Sequence, residues 1–176
     1  MPESFQRFSA LDPAALTQDI ARTRKDLSEA QAKGDTLAIV ERAGELAGML
    51  TTDRREAEAR QLLAPLQSSA RDLHSSEPAG WYYLAYGTAS QYLGLREEAN
   101  SMFAEALRLA RLQAWEVLEH YVLSHWGRSL VEEGSFAQAR QCFQQALEIR
   151  ERLNEPRAAS SRRALAALAE LEARAK

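Results

Sequence analysis

The residues best suited to acid–base, metal or nucleophilic chemistry are few in this sequence and form no recognisable set. It contains three histidines and one cysteine, Cys142. His120 and His125 are five residues apart, which places them on different sides of a helix. Glu116 and His120 are four apart and can share a face, but two ligands are too few for a stable metal site. For that pair the sequence favours an exposed salt bridge or hydrogen bond.

The other reactive residue types give the same result. His74 lies beside Ser75 and Ser76 with no nearby base or acid to activate a hydroxyl, so a nucleophile is not favoured. Cys142 adjoins Phe143, at a position expected to be at least half-buried. No glycine-rich phosphate loop, His-Glu-x-x-His run or Cys-x-x-Cys pair occurs. We therefore expect no enzyme activity, no metal and no cofactor.

Size and charge restrict the class of protein further. The chain has 176 residues, with 22 Lys and Arg against 25 Asp and Glu, giving a net charge of −3. This balance argues against a nucleic-acid binder, which usually carries a clear basic excess. A single cysteine excludes an internal disulfide and indicates a reducing compartment. No apolar run approaches the length of a membrane span or secretion signal, which predicts a cytoplasmic protein without membrane association.

The elements that must position any site are helices. Good helix formers dominate, and alternating β-branched runs are absent. Asp12 is suited to cap a first helix, with Pro13 at its first position. Pro65 is expected to kink or split the third helix. We predict eight helices, over about 13–34, 36–50, 54–73, 81–93, 96–112, 115–132, 136–153 and 157–174.

Two stretches of the chain carry the same sparse pattern. Residues 94–110 and 134–150 match with a shift of 40, and the match includes a small residue upstream of each. The matched pairs are Gly87/Gly127, Gly94/Gly134, Ala99/Ala139, Phe103/Phe143, Ala106/Ala146, Leu107/Leu147 and Leu109/Ile149. A helical hairpin needs this arrangement: a small residue for close approach, a turn glycine, and one apolar face on the second helix. Phe103 and Phe143 are therefore predicted to lie between paired helices.

This spacing of small residue, turn glycine, Ala, Phe and Ala resembles the tetratricopeptide repeat family, in its longer variant of about 40 residues. A degenerate third copy has Ala47, Ala59 and Leu63 at the corresponding positions, with Arg54 in place of the turn glycine. The resemblance implies an all-α solenoid of antiparallel helix pairs. It places repeats at about 36–74, 80–114 and 115–156 and a capping helix at 157–176, in one domain over 12–176. Residues 1–11 are expected to form a flexible segment.

In this family the first helix of each repeat lines a concave face that binds peptides. Carried onto this sequence, the resemblance implies a groove that contains aromatic, hydrogen-bonding and charged residues. These residues are Trp81, Leu84, Thr88, Gln91, Tyr92, Tyr121, Ser124, Arg128, Val131 and Glu132. Arg128 could bind a carboxylate in bidentate fashion, or pair with Glu132 one helical turn away.

The resulting hypothesis is a non-enzymatic adaptor or chaperone-like module that binds a protein or peptide segment in this groove. Two alternatives stay open. The final helix has an Ala/Leu stripe, which would suit a scaffold that assembles with copies of itself. A regulatory protein that senses a peptide or small ligand is the other. The segment 1–11 contains Phe5 and Phe8, and it could fold back to occupy the groove of its own chain.

Overall fold

The computed structural model describes residues 5–174, and these residues form helices and connections without any strand. Nine α-helices and one short 3₁₀-helix follow one another along the chain. They are α1 Pro13–Lys33, α2 Thr36–Thr52, α3 Glu56–Leu63, η1 Ala64–Leu66, α4 Gln67–Asp72, α5 Glu77–Tyr92, α6 Arg96–Leu112, α7 Glu116–Glu132, α8 Phe136–Arg152 and α9 Ala158–Arg174. The predicted all-α class is confirmed for this part of the chain.

Local signals explain most of the helix boundaries. The Asp12 carboxylate accepts hydrogen bonds from the backbone N–H groups of Ala14 and Ala15, at 2.9 and 3.0 Å, as an N-cap does. The predicted break at Pro65 is confirmed, because η1 separates α3 from α4 there. The predicted start of α5 at Trp81 is wrong. The helix begins at Glu77, because a proline in the first helical turn, here Pro78, is compatible with the helix.

The turns between helices recur at a fixed interval. Outside the N-terminal segment, each residue with a left-handed backbone lies 20 or 40 positions after the previous one. These residues are Gly34, Arg54, Gly94, Ala114, Gly134 and Asn154. After α5 and α7 the same bond closes the turn: Leu95 N–H donates to the Ser90 carbonyl at 2.9 Å, and Ser135 N–H to the Leu130 carbonyl at 2.8 Å. Wherever the interval is 20, one helix and the turn that follows it therefore form a half-unit of 20 residues.

The chain divides into two compact units, of which the N-terminal one comprises Phe8–Gln113. Within it α1 packs on α2, α2 on α5, and α5 on α6. Gly87 lies so close to α6 that an added Cβ would be 2.8 Å from the Phe103 ring. Glu98 is held by two Arg60 nitrogens at 2.8 and 2.9 Å, and these bonds lower the pKa of its carboxyl. Helix α6 is thereby fixed to α3 by a bidentate ion pair.

The C-terminal unit comprises residues 114–174 together with residues 5–7. Helices α7 and α8 form a pair, and α9 packs on α8. An added Cβ at Gly127 would be 2.6 Å from the Phe143 ring, which matches the contact between Gly87 and Phe103. The core of the unit is a cluster of buried residues, here called the α7–α9 core. Its members are Leu130, Val131, Ala139, Phe143, Ala164 and Leu168.

The predicted positions of the repeated pattern agree with these units. Phe103 and Phe143 are buried between paired helices, as predicted. In the degenerate copy Ala47, Ala59 and Leu63 are also buried. Of the segment predicted to be flexible, residues 1–4 lie outside the described residues, as do residues 175–176 of the predicted cap. None of the described helices is long and apolar enough to cross a membrane.

Candidate functional site

Five of the predicted groove residues lie on α5, in the N-terminal unit, and they differ in accessibility. Leu84, Thr88 and Gln91 are buried, while Trp81 and Tyr92 are half-buried. The Thr88 hydroxyl donates to the Leu84 carbonyl at 2.8 Å, and the Trp81 indole N–H donates to Glu77 at 3.1 Å. Both amide atoms of Gln91 are buried without a hydrogen-bond partner in the described chain.

The other five lie on α7, in the C-terminal unit. Ser124, Arg128 and Val131 are buried, while Tyr121 and Glu132 are half-buried. Arg128 donates to the Ser124 carbonyl at 3.2 Å, and Val131 belongs to the α7–α9 core. Tyr121 and Glu132 are eleven residues apart, which is close to three full helical turns, so both project from the same side of α7. A segment of the chain is bound against this half of the predicted set.

That segment consists of the chain's own residues 5–7. The Phe5 N–H donates to a Glu132 carboxylate oxygen at 2.9 Å. The Phe5 ring packs on the α7–α9 core, with its centroid 6.1 Å from that of Phe143 and the planes 31° apart. The Gln6 amide reaches the Arg163 carbonyl on α9 at 3.4 Å. We call this surface the Phe5 site: Glu132, Phe143, the Arg163 carbonyl and the adjoining face of the α7–α9 core.

The chemistry of the Phe5 site suits a main-chain donor beside an aromatic side chain. Glu132 is the last residue of α7, where the helix dipole disfavours a negative charge. An N–H donor directed at this carboxylate offsets that disadvantage, and bonds to charged groups are stronger than neutral ones. Next to it, the Phe143 ring offers an apolar surface for a second ring. Aromatic pairs at this separation contribute about 0.5–1.5 kcal/mol beyond the area they bury.

The prediction of an exposed pairing between Glu116 and His120 is wrong. His120 is fully buried, and its Nδ1 accepts a hydrogen bond from Arg150 Nε at 3.2 Å. Glu116 instead pairs with Arg152 of α8. Burial, with Arg150 as the second cause, lowers the pKa of His120 to about 4. Burial likewise lowers the pKa of His125 to about 3, so both imidazoles are neutral at pH 7.

The possible metal ligands and the single cysteine lie apart from one another in the described residues. No three His, Cys, Asp or Glu side chains among residues 5–174 come together in a way that could hold a metal ion. Cys142 is half-buried against the α7–α9 core, which agrees with its predicted position.

Fold and site together define an all-helical protein of packed helix pairs that holds a short irregular segment on one unit. Comparison of the sequence with protein-family models and with curated proteins gave no match. The geometry of these residues is therefore the basis for assigning a function.

Proposed function

We propose that this chain is a non-enzymatic interaction module that binds a peptide or protein segment, and that the Phe5 site is one place where it does so. The observation that carries the proposal is the docking of residues 5–7 between the end of α7 and α9. Two of the groove residues implied by the resemblance, Val131 and Glu132, belong to this surface. The chain's own segment then acts as a built-in ligand that a client displaces.

The repeated helix pairs support a tetratricopeptide-like reading of the architecture, which is part of the same proposal. A Cβ added at Gly87 would lie 2.8 Å from the Phe103 ring, and one added at Gly127 would lie 2.6 Å from the Phe143 ring. The left-handed turn residues are spaced by 20 or 40 positions in the N-terminal unit and by 20 in the C-terminal unit. A hairpin of this kind cannot bury its apolar face alone and needs neighbours, which is how helical repeats leave surfaces for extended partners.

The alternative of a self-assembling scaffold has less support. It required the Ala/Leu stripe of the last helix to be available for another chain. Ala164 and Leu168 of that stripe are buried within the α7–α9 core, and Leu165 and Leu171 pack against it. The stripe is therefore used by the chain's own α8.

The test uses a chain that lacks residues 1–7 and a fluorescent peptide of residues 1–10. We expect the truncated chain to bind this peptide, with anisotropy rising to saturation, and the full chain to bind it more weakly. The attached segment competes at an effective concentration in the millimolar range. A peptide with Phe5→Ala should bind about tenfold more weakly, because it loses the ring contact and the apolar burial.

Two variants of the truncated chain locate the site. Glu132→Gln should weaken binding about tenfold, because a hydrogen bond to a charged group contributes about 1.5–3 kcal/mol. Glu148→Gln makes the same chemical change on an exposed position of α8 and should have no effect. If the truncated chain keeps its helical circular dichroism but binds neither peptide, the Phe5 site is not a peptide-binding surface.

A further inference from the structure

A second feature of the C-terminal unit is a buried arginine in the last turn of α8. Arg150 is 3% exposed. It donates to His120 Nδ1 at 3.2 Å, to the Ser161 hydroxyl at 2.8 Å and to the Arg157 carbonyl at 3.4 Å. All three acceptors are neutral. Burial lowers the pKa of Arg150, which reflects the cost of holding a cation away from water.

The arginines around it each have a carboxylate, whereas Arg150 does not. Arg152 pairs with Glu116, Arg162 with Glu151, and Arg157 with Glu155. No Asp or Glu in residues 5–174 lies within ion-pair distance of Arg150. Because buried charges in proteins are usually paired, an unpaired guanidinium at this depth indicates that an anion belongs beside it.

His120 adds a buried donor that has no acceptor. Its Nδ1 accepts the Arg150 bond, and burial keeps the ring neutral, so its single proton must be on Nε2. That Nε2 atom is buried, and no acceptor in the described chain reaches it. A buried N–H group of this kind costs about 1–3 kcal/mol when it is left unsatisfied. The buried Arg150 cation therefore has no carboxylate beside it, and the His120 Nε2–H has no acceptor.

The Tyr121 ring brings these groups together. It stacks on His120 with centroids 4.8 Å apart, and the guanidinium carbons of Arg150 and Arg157 lie 5.9 and 5.3 Å from its centroid. Arg157 is exposed and Tyr121 is half-buried, so the cluster can be approached from solvent along these two side chains. Two cations and one neutral imidazole donor thus surround one aromatic ring, with Glu155 as the nearby acid.

We propose that Arg150, Arg157, His120 and Ser161 form a binding site for a compact oxyanion, a carboxylate or a phosphate, against the Tyr121 ring. The guanidinium groups supply the charge and fork-shaped donors that such anions prefer. His120 Nε2–H supplies an additional neutral donor, and Ser161 positions Arg150. This site shares no residue with the Phe5 site, so failure of either proposal leaves the other standing.

The experiment follows the imidazole N–H and backbone amide signals of the full-length ¹⁵N-labelled chain by NMR. Inorganic phosphate and acetate are added in turn at constant pH and ionic strength, with chloride as the reference salt. We expect a saturable shift of the His120 Nε2–H signal and of the amides of residues 157–161. Arg157→Gln should weaken the apparent affinity at least fivefold, as expected for the loss of one charged donor fork, about 1 kcal/mol or more.

Arg152→Gln is the matched control, because it removes an equally exposed arginine that already has its own carboxylate. It should leave the affinity unchanged. A peptide with a free terminal carboxylate is compared with the same peptide ending in an amide. If the free carboxylate peptide binds with higher affinity than acetate, the site is assigned to peptide carboxylates rather than to a free anion. The proposal is overturned if neither anion shifts the His120 signal, or if the two arginine variants bind equally well.

Discussion

Replacing Gly127 by alanine tests how α7 and α8 meet. An ideal Cβ at this position would lie 2.6 Å from Cε1, 2.9 Å from Cδ1 and 3.0 Å from Cζ of Phe143. Phe143 is 1% exposed and belongs to the α7–α9 core, so its ring has no open side into which to move. Carbon atoms pack best at about 3.5–4.0 Å, so the added methyl group intrudes by about 1 Å.

The expected magnitude combines two opposing effects. Alanine is favoured over glycine inside a helix by about 1 kcal/mol. Overpacking of a filled core costs about 1–3 kcal/mol, and the depth of this clash places it in the upper part of that range. Gly127→Ala should therefore lower the free energy of unfolding by about 1–2 kcal/mol. Gly48→Ala in α2 is the matched control, because no atom lies within 4 Å of its added Cβ, and it should gain about 0.5–1 kcal/mol.

The assay is urea unfolding monitored by circular dichroism. Gly127→Ala is measured both in the original chain and in a chain that carries Phe143→Leu. Removal of the ring gives the new methyl group space. Gly127→Ala should therefore lower the free energy of unfolding much less in the chain with Phe143→Leu. The pair should therefore show a coupling energy of about 1 kcal/mol or more in a double-mutant cycle. If Gly127→Ala stabilises the chain as much as Gly48→Ala does, the close approach of α7 to the Phe143 ring is refuted.

Three further outcomes are expected. Ala114→Gly should raise the free energy of unfolding in urea by up to about 1 kcal/mol, because Ala114 holds a left-handed φ of 56° that strains an L-residue. A lower free energy of unfolding would contradict this. Phe103→Ala should cost about 3–5 kcal/mol, and a melt with almost no loss would contradict its core position. Because burial lowers the pKa of His120 to about 4, the unfolded chain takes up this proton first as the pH falls below about 6.5. The free energy of unfolding should therefore decrease as the pH falls from about 6.5 to 4, by no more than about 3 kcal/mol from this group. In the His120→Gln variant the urea concentration at the midpoint of unfolding should change less with pH. A pH dependence equal to that of the original chain would contradict the buried, neutral state of His120.

The helices were predictable because residues close in sequence determine where each helix begins and ends. Asp12, the turn glycines and Pro65 act within a few residues, and the structure follows them closely. The 20-residue half-unit was harder to recognise, since Arg54, Ala114 and Asn154 occupy left-handed positions where glycine would be expected. A signal did exist, because Gly34, Gly94 and Gly134 are already spaced by multiples of 20.

The candidate sites were less predictable, because burial depends on which helices meet. The family pattern selects groove residues by position along a helix, and it cannot show that Gln91 or Ser124 is buried. Arg150 was missed for a related reason: arginine is seldom fully buried, and its position in the sequence does not show that other helices cover it. The docking of Phe5 joins residues more than 120 positions apart, and no local pattern specifies it.

Each proposed site contacts the same side of α7, one at Tyr121 and the other at Glu132, and this geometry leads to a last expectation. Tyr121 and Glu132 are eleven residues apart, which is about 17 Å along the helix. An extended peptide rises about 3.3 Å per residue, so five residues span that distance. A peptide with a phenylalanine and an aspartate five positions apart could engage both sites at once.

Such a peptide should bind the truncated chain about ten- to a hundredfold more tightly than one with a two-residue spacing, because the second contact becomes intramolecular. Both orders of the two residues should be measured, since the docked segment does not fix the direction of a longer ligand. Arg157→Gln should remove the gain and leave the binding of the short-spaced peptide unchanged. Affinity that is indifferent to spacing in both orders would mean that the two sites do not serve one ligand.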